Sequence, residues 1–281
     1  MTFNEFALAN EPVIRLIAFF GIFALMAVWE VAAPRRARLH SRSVRWSANL
    51  GLVVFNTVLV RLLFPFAAVA FATLAAQRGW GLLNNLDLPQ WLALVLAVAA
   101  MDFAIWLQHV MVHAVPVLWR LHQVHHADPD YDVTTGARFH PLEIILSMLI
   151  KFSVIAVLGA PAAAVLVFEV LLNATAMFNH GNIKLPGGVD APLRLLLVTP
   201  DMHRVHHSTD NAEANSNFGF NLSLWDRLFG TYRGAARLPQ ESMQIGVAGL
   251  TGDPRCVSLT GMLAIPFVSS GEGYAIGHEA R

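Results

Sequence analysis

Three stretches of this chain, and one closely spaced pair, are long and apolar enough to cross a bilayer, which leaves few folds open. A hydrocarbon layer ~30 Å thick takes roughly 20 mostly apolar residues as helix. Such windows run from Val13 to Ala33, Asn49 to Ala76 and Leu88 to His109, and the pair from Leu142 to Leu158 and Ala160 to Phe178. Gly159, Ala160 and Pro161 punctuate the pair, which reads as a tight helical hairpin. With 56% hydrophobic and 14% charged residues, the composition lies outside the soluble norm. The expected fold class is all-α, an integral membrane helical bundle of four or five membrane helices.

The N-terminus does not read as a cleaved signal, because Met1 to Glu11 has no basic run and the first apolar stretch leads straight into arginines. Arg35, Arg36, Arg38, Arg42 and Arg45 follow that first helix, whereas the connection from Gln77 to Pro89 has one arginine. Excess arginine marks the cytoplasmic side. Tracing the helices from there puts both ends of the hairpin and the C-terminal end of the third helix on that side. The organisation expected is N-terminal membrane helices and a basic loop over 1–86, a domain over 87–232, and a Gly-rich C-terminal tail over 233–281 whose apolar run, Leu259 to Val268, is too short to span. Zero formal net charge gives no basic face for nucleic acid. Lys151 and Glu169, inside the hairpin arms, must snorkel or pair, unless the hairpin only dips into the bilayer.

Nine of the twelve histidines fall into four groups beside these windows: His109/His113, His122/His125/His126, His180 and His203/His206/His207. All four lie on the cytoplasmic side of the expected topology, as a histidine-rich helical cap. Imidazole is the commonest protein metal ligand, and so many at ligand spacing imply more than one ion. Two copies of H-x-x-H-H occur. In each, the first and last rings share a helical face, while the middle one is rotated toward a neighbouring ion. The single cysteine, Cys256, excludes cysteine-rich sites, so any metal rests on nitrogen and oxygen. A structural zinc needs four ligands, whereas nine histidines fill two sites and leave positions open. Val-Met-Val between His109 and His113 provides no glutamate base for zinc-protease chemistry.

From about Leu88 to Tyr232 the chain resembles the fatty acid hydroxylase superfamily, the membrane di-iron group that also holds sterol desaturases, C4-methyl sterol oxidases and carotenoid hydroxylases. The resemblance rests on H-x-x-x-H in a helix opening with Asp102-Phe103, W-R-x-H-x-x-H-H from Trp119 to His126, and H-P-L-E from His140 to Glu143. It continues through N-H-G-N from Asn179 to Asn182, P-x-x-H-x-x-H-H from Pro200 to His207, and N-F-G…W-D-x-L-F-G-T-Y from Asn217 to Tyr232. It implies a cap holding two irons that activate dioxygen to attack an unactivated C–H bond of a lipid, with His109, His113, His122, His125, His126, His180, His203, His206 and His207 as ligands. Some relatives carry a further histidine one turn before His180. Ala176 stands there in this chain, which leaves water, Asn182 or His140 to complete one site.

Other polar positions admit two readings each. His140 and Glu143 are either a tenth ligand with its orienting carboxylate or a helix cap with an acid at the helix N-terminus. Asp102 either hydrogen-bonds a ligating imidazole or pairs with Arg61. Asp226 either orients a histidine or pairs with Arg227. Trp29, Trp46, Trp80, Trp91, Trp106 and Trp119 read as an interfacial belt, and His40 and His278 as surface residues. No haem-attachment or dinucleotide motif is present, so electrons must come from a separate carrier of ferredoxin or cytochrome type with its reductase. The substrate is expected to be membrane-dissolved and the membrane to be a bacterial inner membrane; hydroxylation versus desaturation and the oligomeric state stay open. A histidine-rich metal carrier or sensor is the alternative.

Overall fold

The computed structural model describes residues 3–64, 66–186 and 188–269. His278 lies outside them. In chain order the α-helices are α1 (Phe3–Ala9), α2 (Glu11–Ala32), α3 (Arg42–Leu63), α4 (Ala68–Gln77), α5 (Gln90–Ala114), α6 (Pro116–His126), α7 (Pro141–Leu158), α8 (Ala162–Asn179), α9 (Asp190–Leu193), α10 (Pro200–His206), α11 (Asn211–Ala214), α12 (Leu224–Leu228) and α13 (Leu259–Val268). Among the described residues there is no β-strand, only three isolated bridges. Five segments are long and apolar enough to cross a membrane: Glu11–Ala32, Arg42–Gln77, Gln90–Ala114, Pro141–Leu158 and Ala162–Asn179. Along α2, Ile17, Phe20, Val28 and Val31 are each more than 60% exposed, a stripe that needs lipid rather than water beside it.

The second apolar window is not one helix. Phe64, ahead of Pro65, adopts an extended conformation at φ −113°, and the chain re-enters a helix at Ala68. A proline crowds the residue before it out of the helical region. Val115 is turned out in the same way before Pro116 (φ −101°, ψ 115°), which bends α5 into α6 between two histidine groups. The hairpin of α7 and α8 turns at Gly159, whose φ of +69° and approach to the Trp80 carbonyl, 2.8 Å from where a Cβ would sit, leave room for no other residue. In its walls Lys151 Nζ and Arg15 Nη2 each lie 2.5 Å from Glu169, so the intramembrane charges pair.

Two apolar cores separate the layers. One joins α4, α5, α7 and α8 through Ala72, Met101, Ile155 and Phe168. The other, in the cap, joins α3, α6 and α13 through Leu52, Trp119, Val124 and Met262. The segment after residue 232 thus packs back on α6. The tryptophans do not form a single belt: Trp80 and Trp91 are exposed, but Trp106 and Trp119 are buried, one held by a hydrogen bond to Asp226 and the other against the rings of His113 and His126.

Candidate metal centre

All nine clustered histidines are buried, and their nitrogens converge in two adjoining groups, His109, His113, His122, His126 and His206 in one and His125, His180, His203 and His207 in the other. Within each group the facing atoms lie within 4.8 Å of one another. α5 supplies His109 and His113, α6 the next three, the C-terminal end of α8 His180, and α10 with its C-cap the last three. The first and last rings of each H-x-x-H-H go to one group and the middle ring to the other.

Which nitrogen carries a proton follows from the partners. His109 Nδ1 lies 2.7 Å from the Phe218 carbonyl, His206 Nδ1 2.7 Å from the Ser216 carbonyl, and His122 Nδ1 2.7 Å from Glu143 Oε1. A carbonyl or carboxylate oxygen only accepts, so each Nδ1 donates and each Nε2 keeps its lone pair in the neutral ring. Those lone pairs face one another, at 2.9 Å between His206 and His109 and 3.2 Å between His109 and His122. Lone pair against lone pair in a buried site is unfavourable unless a cation sits between them. In the second group His180 Nδ1 donates to the Ala176 carbonyl at 2.8 Å, and its Nε2 lies 3.2 Å from both His125 and His203. His125 Nδ1, His203 Nδ1 and both nitrogens of His207 are buried without a hydrogen-bond partner. Nine nitrogen donors with converging lone pairs fit two metal ions.

Burial, followed by the neighbouring imidazoles, holds His125, His126, His203 and His207 well below the usual histidine range. Burial likewise lowers His180 and His206 to about 3. Because these folded values lie below the unfolded ~6.5, the unfolded chain takes up protons that the folded chain refuses, and stability is lost as pH falls from about 6.5 toward about 3. For His180 and His206 together this amounts to about 3 kcal/mol per pH unit across that window. Chelator-stripped protein is therefore expected to melt at a markedly lower temperature at pH 5.5 than at pH 7.5; equal melts would contradict neutral rings.

A loop orients two of the rings. Asn217 sits at φ +54°, a conformation that asparagine tolerates, and its side chain bonds the Met202 carbonyl and both backbone groups of Arg233. The carbonyls on either side of it, Ser216 and Phe218, are those that accept from His206 and His109. Asp226 fixes the same loop by accepting from the amides of Phe218 and Gly219, Trp106 Nε1 and Thr231 Oγ1. A Cβ at Gly219 would lie 2.9 Å from Asp226 Oδ2 and 2.7 Å from the Leu222 carbonyl. Asp226 thus touches no histidine directly and orients His109 through the backbone of Phe218, and it makes no ion pair with Arg227, which instead lies over the Tyr232 ring.

Of the other positions, Asp102 and Asn182 part from expectation, whereas His140 and His40 follow one of the readings made of them. Asp102 accepts from Asn221 Nδ2 and Trp225 Nε1, both at 2.8 Å, so it ties α5 to the returning loop rather than to an imidazole or Arg61. Asn182 points away from the rings and bonds the backbone of Arg36 through both side-chain atoms. His140 is outside both groups; its Nδ1 accepts from the Leu142 amide as the cap of α7. Glu143 divides from it, reaching His122 from the first turn of α7. His40 is at the surface beside Asp130.

Sequence reasoning missed Tyr131 and Arg45. The Tyr131 ring stacks on His180 with centroids 5.5 Å apart, and its hydroxyl donates to the Asn179 carbonyl. Arg45, read as a loop arginine, is fully buried between Asp128 and Asp132. The run Asp128-Pro129-Asp130-Tyr131-Asp132, directly after the α6 histidines, was the available signal.

A family model described as fatty acid hydroxylase matches residues 94–231. Ornithine lipid hydroxylase OlsE of Rhizobium tropici is 30% identical over 193 residues, 69% of this chain and 56% of its own length. Alkylglycerol monooxygenase of Homo sapiens is 30% identical over 142 residues, 48% of this chain and 29% of its own length. Cholesterol 25-hydroxylase of Homo sapiens is 24% identical over 224 residues, covering 77% of this chain and 79% of its own. The chain therefore spans only about half, or less, of the first two relatives. No solved structure matches.

Proposed function

The chain belongs to the fatty acid hydroxylase family through residues 94–231, and we propose that it is a membrane-bound oxidoreductase in which nine imidazoles hold two irons that use dioxygen and external electrons to hydroxylate or desaturate a lipid. The observation that carries this reading is the joining of the five-ring histidine group to a cavity. A chamber of about 780 Å³ is walled by Phe64, Met148, Leu172 and Met177 and ends on His109 and His122. Its size and apolar wall suit one lipid chain.

When bound, the irons supply the oxidation of the C–H bond, one oxygen atom going to the lipid and the other to water in a hydroxylation, with two electrons from a separate carrier. This chain's residues position and enclose. Glu143 keeps the His122 proton on Nδ1 and the Nε2 lone pair on the inner side. Phe139 lies parallel to His125, centroids 4.5 Å apart, and walls the cavity beside it. Replacing Glu143 with Gln removes the charge behind His122, and a loss of this kind costs about 10- to 100-fold in metal affinity or activity. Competition with a calibrated chelator measures it; unchanged affinity would reduce Glu143 to a helix-end acid.

The basic loop after α2 lies beside the histidine cap, with the Arg35 amide on the Asn182 carbonyl. This supports an active site on the cytoplasmic side of the membrane. Several arginines that suggested this side are paired, Arg35 with Asp201 and Arg42 with Glu30, so the orientation rests on fewer free charges than the sequence implies.

The deciding experiment is lipid analysis of cells with and without the gene, grown under isotopic dioxygen. A lipid gaining one labelled oxygen, or losing two hydrogens, is expected. Two irons per purified chain belong to the same result. Zinc or copper that exchanges with no altered lipid would instead favour a metal carrier, a role for which imidazoles gathered at one end of the bundle form no path.

A further inference from the structure

The far part of the same cavity carries charge that the metal centre does not use. Arg15 of α2, Arg61 of α3, Lys151 of α7 and Glu169 of α8 all line it together with His109 and His122. Both oxygens of Glu169 are taken, by Lys151 Nζ and Arg15 Nη2. Arg15 also meets Glu11, which is not part of the cavity wall. Among the described residues Arg61 makes no ion pair. Three cations thus stand against two carboxylates, in segments where charge is costly and is kept for a purpose. Lys151 Nζ and the Arg61 guanidinium retain donors that no carboxylate among the described residues has taken.

The charged part is well separated from the metal centre. Lys151 lies ten residues along α7 from Pro141, about 15 Å at the helical rise, and Glu169 precedes His180 by a similar stretch of α8. Between them the wall is mostly apolar, with Ile144, Met148 and Leu172, and its polar residues Gln108 and Ser147 bond each other. At the helix break the Phe64 ring packs on Phe152, the residue after Lys151, and Arg61, Phe64 and Lys151 all line the one cavity. The cavity therefore has imidazoles at one end, apolar side chains in the middle and surplus positive charge at the other.

The geometry points to a substrate with an acidic head, a carboxylate or a phosphate monoester, that sits at Arg61 and Lys151 while its chain runs to His109 and His122. This rests on the lipid-oxidising reading and adds the class of lipid and the position of attack: oxidation falls far along the chain from the head. A two-charge clamp distant from the reacting carbon sets which carbon arrives, because the head fixes the depth of the chain.

The test uses the full-length protein in detergent and displacement of a fluorescent fatty-acid probe, read with and without iron. Ligands are matched in chain length: a fatty acid, an alkyl phosphate, a fatty alcohol and an alkylamine. Wild type is expected to bind the two acids at least tenfold more tightly than the alcohol and to reject the amine; acid and phosphate arms separate the two sources of negative charge. Arg61→Gln should erase the preference for acids while leaving the alcohol's affinity in place, and Arg61→Lys should restore it. Equal binding of acid, alcohol and amine by wild type overturns the assignment without any variant having to fold. So does oxidation beside the head in the product. If no lipid of any head is oxidised but acids are still preferred, the oxidase reading fails and the acid site stands.

Discussion

Replacing His203 with alanine is expected, on the two-iron proposal, to lower the iron content from two ions per chain to one and to cut lipid oxidation more than about 100-fold, beyond what loss of a hydrogen-bond partner behind a ligand brings. The two histidine groups are unequal. The group containing His203 has four rings, and loss of one leaves three, fewer than most closed sites need. The other has five, so one ring can be spared: His113→Ala should keep its ion with weaker affinity, whereas His109→Ala with His113→Ala should release it. Elemental analysis of the purified chain beside a turnover assay reads both quantities. Two irons retained in His203→Ala, with oxidation intact, would mean that these nitrogens do not grip the metal.

That asymmetry can be read in the sequence only up to a point. Helical periodicity alone divides H-x-x-H-H into a first-and-last pair and a middle ring, and His122/His126 with His125 follow it, as do His203/His207 with His206. The two copies divide in opposite senses, so His206 joins the α6 pair and His125 joins the α10 pair. No local pattern contains that choice, because it depends on α10 facing α6 across the site. Apolar windows located the membrane helices for the same reason that spacing worked: both are properties of a single helix. The partners of Asp102, Asp226 and Asn182 were not legible because they include residues more than 100 positions away in sequence, as with Trp225 on α12 for Asp102 and Trp106 on α5 for Asp226, or lie in the chain leaving α2. The break between α3 and α4 was legible in Pro65, but apolar character on both sides of it concealed the interruption.

Replacing Arg45 with leucine is expected to destabilise the cap by about 3–5 kcal/mol, the usual cost of stripping one partner from a buried ion pair. Arg45 Nε and Nη2 grip the two oxygens of Asp128 at 2.8 and 2.7 Å, and its Nη1 lies 2.5 Å from Asp132. Neither carboxylate can reach water, and Thr134, Thr135 and Trp46 already spend their donors there. The loop they anchor begins two residues after His126 and carries Tyr131 against His180, so the loss passes to the metal centre as well as to the fold. Lysine at position 45 offers a point charge with no fork and should recover only part of the stability. The dependence on pH separates this account from simple loss of packing. Burial raises the Asp128 carboxyl, but Arg45 and then Arg138 outweigh it and hold the group below the usual carboxylate range. In wild type its stabilising effect is therefore complete above the unfolded value near ~3.9 and lost only as pH falls through the depressed folded one. Without the guanidinium the sign reverses, since a buried carboxylate with a weakened counter-charge is better protonated. The gap between Arg45→Leu and wild type should narrow as pH drops from 7 to 5, and Asp128→Asn with Asp132→Asn in the leucine background should close most of it at pH 7. A gap that stays constant with pH would assign the effect to lost volume instead of charge.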